Sequence, residues 1–91
     1  MQEITLQLRN KVGLHARPAA LLVQAAKHFK SRITLSKDDK TVDAKSILNV
    51  LTLGAEYGAV VTLRADGEDE ALAINDLARL IESSFGEAAV A

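Results

Sequence analysis

The order in which two apolar periodicities follow one another constrains the fold of this 91-residue chain more than any other feature. Four short segments place an apolar residue at every second position, as half-buried strands do, and three others place apolar residues at helical spacing. The strand segments are residues 2–9, 32–36, 40–43 and 60–65. The helical segments run from 16 to about 30, over 47–53, and from 68 to just before Gly86.

Turn and cap residues separate these segments. Pro18 falls in the first turn of the first helix, and Ser46 and Gly54 frame the short second helix. Residues 38 and 39, both Asp, predict a hairpin turn, and three acids at 68–70 suit the positive end of the last helix. The order β-α-β-β-α-β-α predicts an α+β open-faced β-sandwich, a four-stranded antiparallel sheet covered on one face by three helices. We find no linker, so residues 1–91 are expected to form a single domain.

Composition excludes several kinds of site. The sequence has no cysteine, which excludes disulfides, thiolate metal sites and thiol redox chemistry, and its two histidines have no metal-site spacing. The first residues contain no basic segment leading into an apolar one, and no apolar run is long enough to span a membrane. We therefore expect a cytoplasmic protein with no membrane insertion.

The charges are divided between the two halves of the chain. The net charge of −1 argues against a general nucleic-acid binder. Residues 1–45 contain nine basic and four acidic residues, a net charge of +5, whereas residues 46–91 contain two basic and eight acidic ones, a net charge of −6. No run of like charges is long enough to be a disordered tail, so the division predicts a polarised binding face.

His15 is the residue whose neighbours most favour chemistry. In the hexapeptide GLHARP, residues 13–18, it falls at or just before the N-cap of the first helix. A helix N-terminus favours an adjacent phosphoryl anion and disfavours imidazolium, and Arg17 can contact a phosphoryl group. From spacing alone, the alternative to a phosphoryl site is that His15 is only a polar N-cap and Arg17 is only solvated. The other histidine, His28, is interpreted as a solvated cation near the C-terminal end of the helix.

A complete active site cannot be assembled from the other residues. The sequence has no second catalytic base, no carboxylate pair and no Gly-rich phosphate loop. We therefore predict neither an enzyme nor a protein with a cofactor or metal. If His15 accepts phosphate, other proteins must load and unload it.

Ser46 is the second candidate. Its position as N-cap of the short helix is a sufficient structural reason for a serine, although a phosphate there would add about −1.5 to −2 charges at a helix end that tolerates them. Ile47, Leu48 and Leu51 exceed what one small helix must bury on one face. Either all of them belong to the core, or some form an exposed apolar docking patch.

These residues resemble the HPr family, the histidine-containing phosphocarriers of the bacterial phosphoenolpyruvate:sugar phosphotransferase system. The likeness runs almost end to end and includes the opening strand and the closing helix with its acidic start. It also includes residues 13–20 (GLHARPAA), a highly specific motif, and residues 45–54 (KSILNVLTLG). It implies that phospho-enzyme I phosphorylates His15 on Nδ1, that Arg17 steadies the phosphoryl group, and that a sugar-specific IIA protein then receives it.

The resemblance also implies a docking face, formed by the start of the first helix and by the short second helix. Its apolar contacts would be Ala16, Ala20, Leu21, Ile47, Leu48 and Leu51, rimmed by Lys27 and Lys45. Partners of the family present acidic and apolar patches to this face. We expect a monomer with no direct contact to nucleic acid.

Ser46 matches the residue that an ATP-dependent HPr kinase/phosphorylase modifies in Gram-positive-type members. Its phosphorylated form slows phosphorylation of the histidine and acts as corepressor of a catabolite-control repressor, in carbon catabolite repression. Such members often have Met and Gly after the Ser-Ile pair and Met at position 51, where this chain has Leu48, Asn49 and Leu51. Two alternatives follow: a mainly regulatory module acting through phosphorylated Ser46, and a carrier of a nitrogen-related or dihydroxyacetone-kinase branch.

Overall fold

A computed structural model of the chain, describing residues 1–86, shows the predicted succession of strands and helices. The strands are β1 (Gln2–Gln7), β2 (Arg32–Lys37), β3 (Lys40–Asp43) and β4 (Val60–Asp66). The helices are α1 (Ala16–Ala26), α2 (Ile47–Thr52) and α3 (Glu70–Glu82), and a 3₁₀ turn, Ser84–Gly86, follows α3. The predicted element order and fold class are confirmed.

The four strands form one antiparallel sheet in the order β1-β4-β2-β3. β4 lies between β1 and β2, so that Leu63 is opposite Ile4 on one side and Leu35 on the other. Because alternate side chains of a strand point to opposite faces, one face of the sheet is apolar and the other polar. Hydroxyls occupy the polar face, where Thr5 and Thr62 lie in hydrogen-bond contact at 3.0 Å.

The helices cover the apolar face. α3 packs on β1 and β4, and α1 packs on both α2 and α3. The largest fully buried side chains of this core include Leu8, Leu22, Ile33, Leu35, Leu63, Leu77 and Ile81. On α3, Leu80 is only half-buried, whereas Ala78 is buried. Among residues 1–86 no helix is long and apolar enough to cross a membrane.

The first helix is shorter than predicted, because it ends at Ala26 rather than near Lys30. The amides of residues 28 and 29 bond to carbonyls three positions back, which tightens and ends the helix. The next two amides, of Lys30 and Ser31, donate to the carboxylate of Asp69 at 2.8 and 3.0 Å. A helix cannot continue through amides that are bound elsewhere.

Asp69 therefore has a role that the sequence did not predict. It precedes α3 but makes no capping bond to it, since its carboxylate accepts from the Lys30 and Ser31 amides and from the Ser31 hydroxyl. The hydroxyl of Ser31 and the amide of Lys30 lower the pKa of Asp69 from 3.8 to about 2. This carboxylate joins the start of α3 to the loop between α1 and β2.

Candidate functional site

A tight turn leads from β1 to His15. The buried Asn10 donates from its side-chain amide to the carbonyl oxygen of Gly13 at 2.7 Å, and the Gly13 amide donates back to the carbonyl of Asn10 at 3.2 Å. The following residue, Leu14, is buried in the core, and its amide donates to the carbonyl of Ala55 at 2.8 Å. The residue before the histidine is thus fixed to the loop between α2 and β4.

Gly13 allows this loop to approach closely. Its φ of +61° lies in the left-handed region, and a Cβ at this position would be 2.5 Å from the Cα of Glu56 and 2.6 Å from the carbonyl oxygen of Ala55. Both contacts are shorter than real Cβ atoms make, so a side chain at position 13 would push two backbone segments apart. The contacts of Gly13 with Ala55 and Glu56 were not predicted from the sequence, because they join distant stretches of the chain.

His15 occupies the N-cap position of α1, as predicted. Its backbone is extended, with φ −78° and ψ −172°, and its carbonyl oxygen accepts from the Ala19 amide at 2.9 Å. The imidazole makes no capping hydrogen bond and is exposed to solvent. The need for a polar cap therefore does not explain the histidine at this helix N-terminus.

A shallow depression of about 190 Å³ lies next to His15. It is lined by Leu14, His15, Leu51, Gly54, Ala55 and Glu56. The depression thus brings together His15 and Leu51, two predicted site residues from different helices, and adds the carboxylate-bearing Glu56. Arg17 is exposed in the first turn of α1, followed by the buried Pro18.

The apolar residues of α2 are mostly at the surface. Val50 is the buried residue of this helix, while the exposed fractions of Ile47, Leu48 and Leu51 are 38%, 73% and 39%. Of the two alternatives left open by the sequence, the exposed patch is correct. α2 packs on α1, where Ala16 is exposed and Ala20 and Leu21 are half-buried. These three residues and the three exposed apolar residues of α2 are called the apolar face below.

The two predicted rim lysines differ in their surroundings. Lys27 is exposed at the C-terminal end of α1, about 18 Å from His15 along the helix axis at 1.5 Å per residue. The half-buried Lys45 donates from its ammonium group to the carbonyl oxygen of Phe29 at 2.7 Å. It also lines a groove of about 450 Å³ between the α1–β2 loop and β3, which His15 does not line.

Ser46 is half-buried at the N-cap of α2, as predicted. Its hydroxyl oxygen accepts from the Asn49 amide at 3.5 Å, which is long for a capping bond. No group of three or more metal-binding side chains lies close enough together to hold an ion within the described part of the chain.

In sequence and in structure, the chain is similar to phosphocarrier proteins named HPr. The family model described as "PTS HPr component phosphorylation site" matches residues 2–83. A phosphocarrier protein HPr of Xylella fastidiosa is 47% identical over 87 residues, which cover 96% of this chain and 98% of that protein. The crystal structure of an HPr from Thermoanaerobacter tengcongensis matches with a TM-score of 0.95 at 55% identity, covering 97% of this chain and 99% of the other. Crh of Bacillus subtilis, a catabolite-repression protein crystallised as a swapped dimer, matches with a TM-score of 0.74 at 45% identity, covering 92% and 97%.

Proposed function

The chain belongs to the HPr family of phosphocarriers of the phosphotransferase system, and on that premise we propose that His15 is its phosphoryl acceptor. In this proposal phospho-enzyme I supplies the phosphoryl group to Nδ1, and a sugar-specific IIA protein removes it. The main support is the exposed imidazole at the N-terminus of α1, which makes no capping bond. Nothing in the first turn requires a histidine for the fold.

The chemistry needs a neutral ring with its proton on Nε2. The Nδ1 lone pair then forms the bond to phosphorus while the bond between phosphorus and the donor protein breaks, and the onward transfer reverses these roles. The first amides of α1 have no partner within the helix, and the positive end of the helix dipole favours the added negative charge. Arg17, two residues beyond His15, contributes a guanidinium contact to the phosphoryl oxygens.

The apolar face is the proposed docking site for both partners. Its exposed residues on α2 adjoin the depression that contains His15, so a partner seated there reaches the imidazole directly. Lys27 and Lys45 extend this face as a basic rim, which favours acidic partners. The partners then provide the rest of each active site.

The test is phosphorylation by enzyme I and phosphoenolpyruvate, followed by intact mass. We expect one phosphoryl group on the wild-type chain, labile in acid and stable in base, and none on His15→Ala. His28→Ala is the matched control, because His28 is also exposed but lies beyond the opposite end of α1. Acid-labile phosphate that persists in His15→Ala would refute this assignment.

We also propose that Ser46 is a regulatory phosphorylation site for an ATP-dependent HPr kinase/phosphorylase. The added charge would lie next to the apolar face and hinder docking at His15. Ser46→Ala should block this modification and His15→Ala should leave it intact. The proposal fails if kinase-treated protein contains no base-labile phosphate, or if phosphorylated Ser46 leaves the rate of transfer to His15 unchanged.

A mainly regulatory module is the second candidate, favoured by the similarity to Crh. In it, the chain with phosphorylated Ser46 binds a catabolite-control repressor as corepressor. A repressor that bound modified and unmodified protein equally would argue against this function. A nitrogen-related or dihydroxyacetone-kinase branch would use the same His15 chemistry with other partners.

A further inference from the structure

Of the two lysines that flank the β2–β3 hairpin turn, Lys40 binds the last residue of α2 and Lys37 binds the loop just after it. Lys37 is the last residue of β2 and Lys40 is the first of β3. The Lys40 ammonium donates to the carbonyl oxygen of Thr52 at 2.7 Å, and the Lys37 ammonium donates to that of Gly54 at 3.1 Å. The hairpin therefore reaches the C-terminal end of the short helix through two positively charged donors.

With the bond from Lys40, each of the last four carbonyl oxygens of α2 has a hydrogen-bond donor. The last four carbonyl oxygens of an α-helix have no partner in the regular helical pattern. In α2 the carbonyls of residues 49–51 accept bonds from groups that follow them in the chain. The carbonyl of Thr52, the last of the four, accepts from Lys40. A cation is also favoured at this negative end of the helix.

α2 depends on such outside support, because it is weak by itself. Six residues make fewer than two helical turns, and isolated helices of this length do not persist in water. Val50 is its buried residue, and the capping bond at Ser46 is long at 3.5 Å. One charge-assisted bond to its last residue and one to the loop just after it are therefore a substantial part of what holds this helix in place.

We propose that Lys37 and Lys40 are positioning residues for phosphoryl transfer. By binding the carbonyls of Thr52, the last residue of α2, and of Gly54, in the loop that follows, they hold Leu51 beside His15 and keep the α2 part of the apolar face in one arrangement. This inference rests on the proposed function, because it takes the apolar face as the docking site. The inference gives two lysines of residues 1–45, the part of the chain with a net positive charge, a role within the protein itself. This role is distinct from attracting an acidic partner.

The two roles differ in what they require. A lysine that attracts a partner changes the rate of association, and its effect fades as salt screens the charge. If a lysine holds α2, its replacement speeds the hydrogen exchange of α2 amides even when no partner is present. The amides of Val50 and Leu53, which bond to Ser46 and Val50, report on this helix directly.

The first measurement is amide hydrogen exchange of the protein alone. In Lys37→Met/Lys40→Met we expect Val50 and Leu53 to exchange about tenfold faster, as loss of charge-assisted bonds at a helix end predicts. Amides of the central strand β4 should stay within about twofold of wild type. Lys30→Met removes an exposed ammonium group outside the hairpin and should change neither set, and replacement of both hairpin lysines by Arg should restore slow exchange.

The second measurement is phosphorylation by enzyme I at low and high salt. We expect the KM for the Lys37→Met/Lys40→Met protein to rise about three- to tenfold at unchanged kcat, in both conditions. Unchanged exchange in α2, equal acceleration in β4, failure of Arg to restore, or a KM effect confined to low salt would each overturn the inference. If wild type accepted no phosphate, the proposed function would fail while the exchange measurement still decided whether the lysines hold α2.

Discussion

Gly13→Ala tests whether close backbone approach sets the position of His15. The added methyl would lie 2.5 Å from the Cα of Glu56 and 2.6 Å from the carbonyl oxygen of Ala55, whereas relaxed contacts are about 3.5–4.0 Å. The two segments must therefore separate by about 1 Å. Left-handed backbone costs alanine about 1–2 kcal/mol, and overpacking of this size costs about 1–3 kcal/mol. The lower entropy of the unfolded alanine chain offsets about 0.4–1 kcal/mol, which leaves a net loss of about 1–4.6 kcal/mol.

The assay is urea unfolding, with Gly54→Ala as the matched control. Gly54 has a similar φ of +68°, but a Cβ there meets nothing within 4 Å. Its substitution therefore costs only the backbone strain, about 0–1.6 kcal/mol after the entropy offset. Gly13→Ala should also slow acceptance of phosphate, because the bond from the Leu14 amide to Ala55 must lengthen. Equal loss of stability in the two variants would refute the argument from close approach.

Three further predictions concern charge and the apolar face. Hydrogen bonds lower the folded pKa of Asp69 to about 2, so its ionised form stabilises the fold above about pH 4, and this contribution is lost as the pH falls toward 2. Asp69→Asn should lower the urea midpoint at pH 7 and make stability fall less steeply between pH 4 and pH 2. An unchanged dependence of stability on pH in this range would contradict the assignment. Lys27→Glu should slow association with enzyme I about two- to fivefold at low salt and much less at high salt, so an equal effect in both conditions would argue against a rim charge. Leu48→Asp should raise the KM for this protein at enzyme I about tenfold with stability within ~0.5 kcal/mol of wild type, whereas Leu72→Asp, at an exposed position on α3, should change neither.

The strands, the hairpin and the ends of α2 could be predicted because each depends on neighbouring residues. Buried and exposed side chains alternate along β4 because one face of the sheet is apolar. A glycine after α2 was predictable as a helix end because the residue there has a φ of +68°, which glycine adopts easily. The early end of α1 could not be predicted, because it depends on the Asp69 carboxylate, which binds an amide 38 positions away. No local pattern contains that information.

The site was predictable to a similar extent. The hexapeptide placed His15 at the start of α1, since Pro18 marks a first helical turn. Periodicity could not show whether Ile47, Leu48 and Leu51 were buried, because six residues do not define a helical face. The contacts of Gly13 and the bond from Lys45 to Phe29 were also missed, since both join separate stretches of the chain.

The packing of Gly13 and Leu14 against residues 55 and 56 sets the moment in synthesis at which His15 reaches its place in the fold. A nascent chain that ends after α1 already contains the whole hexapeptide, but it lacks the backbone on which the histidine turn rests. The central strand β4 must also emerge before β1 and β2 can join one sheet. A ribosome-bound fragment that ends after α1 therefore presents His15 without the backbone contacts that position it in the complete fold.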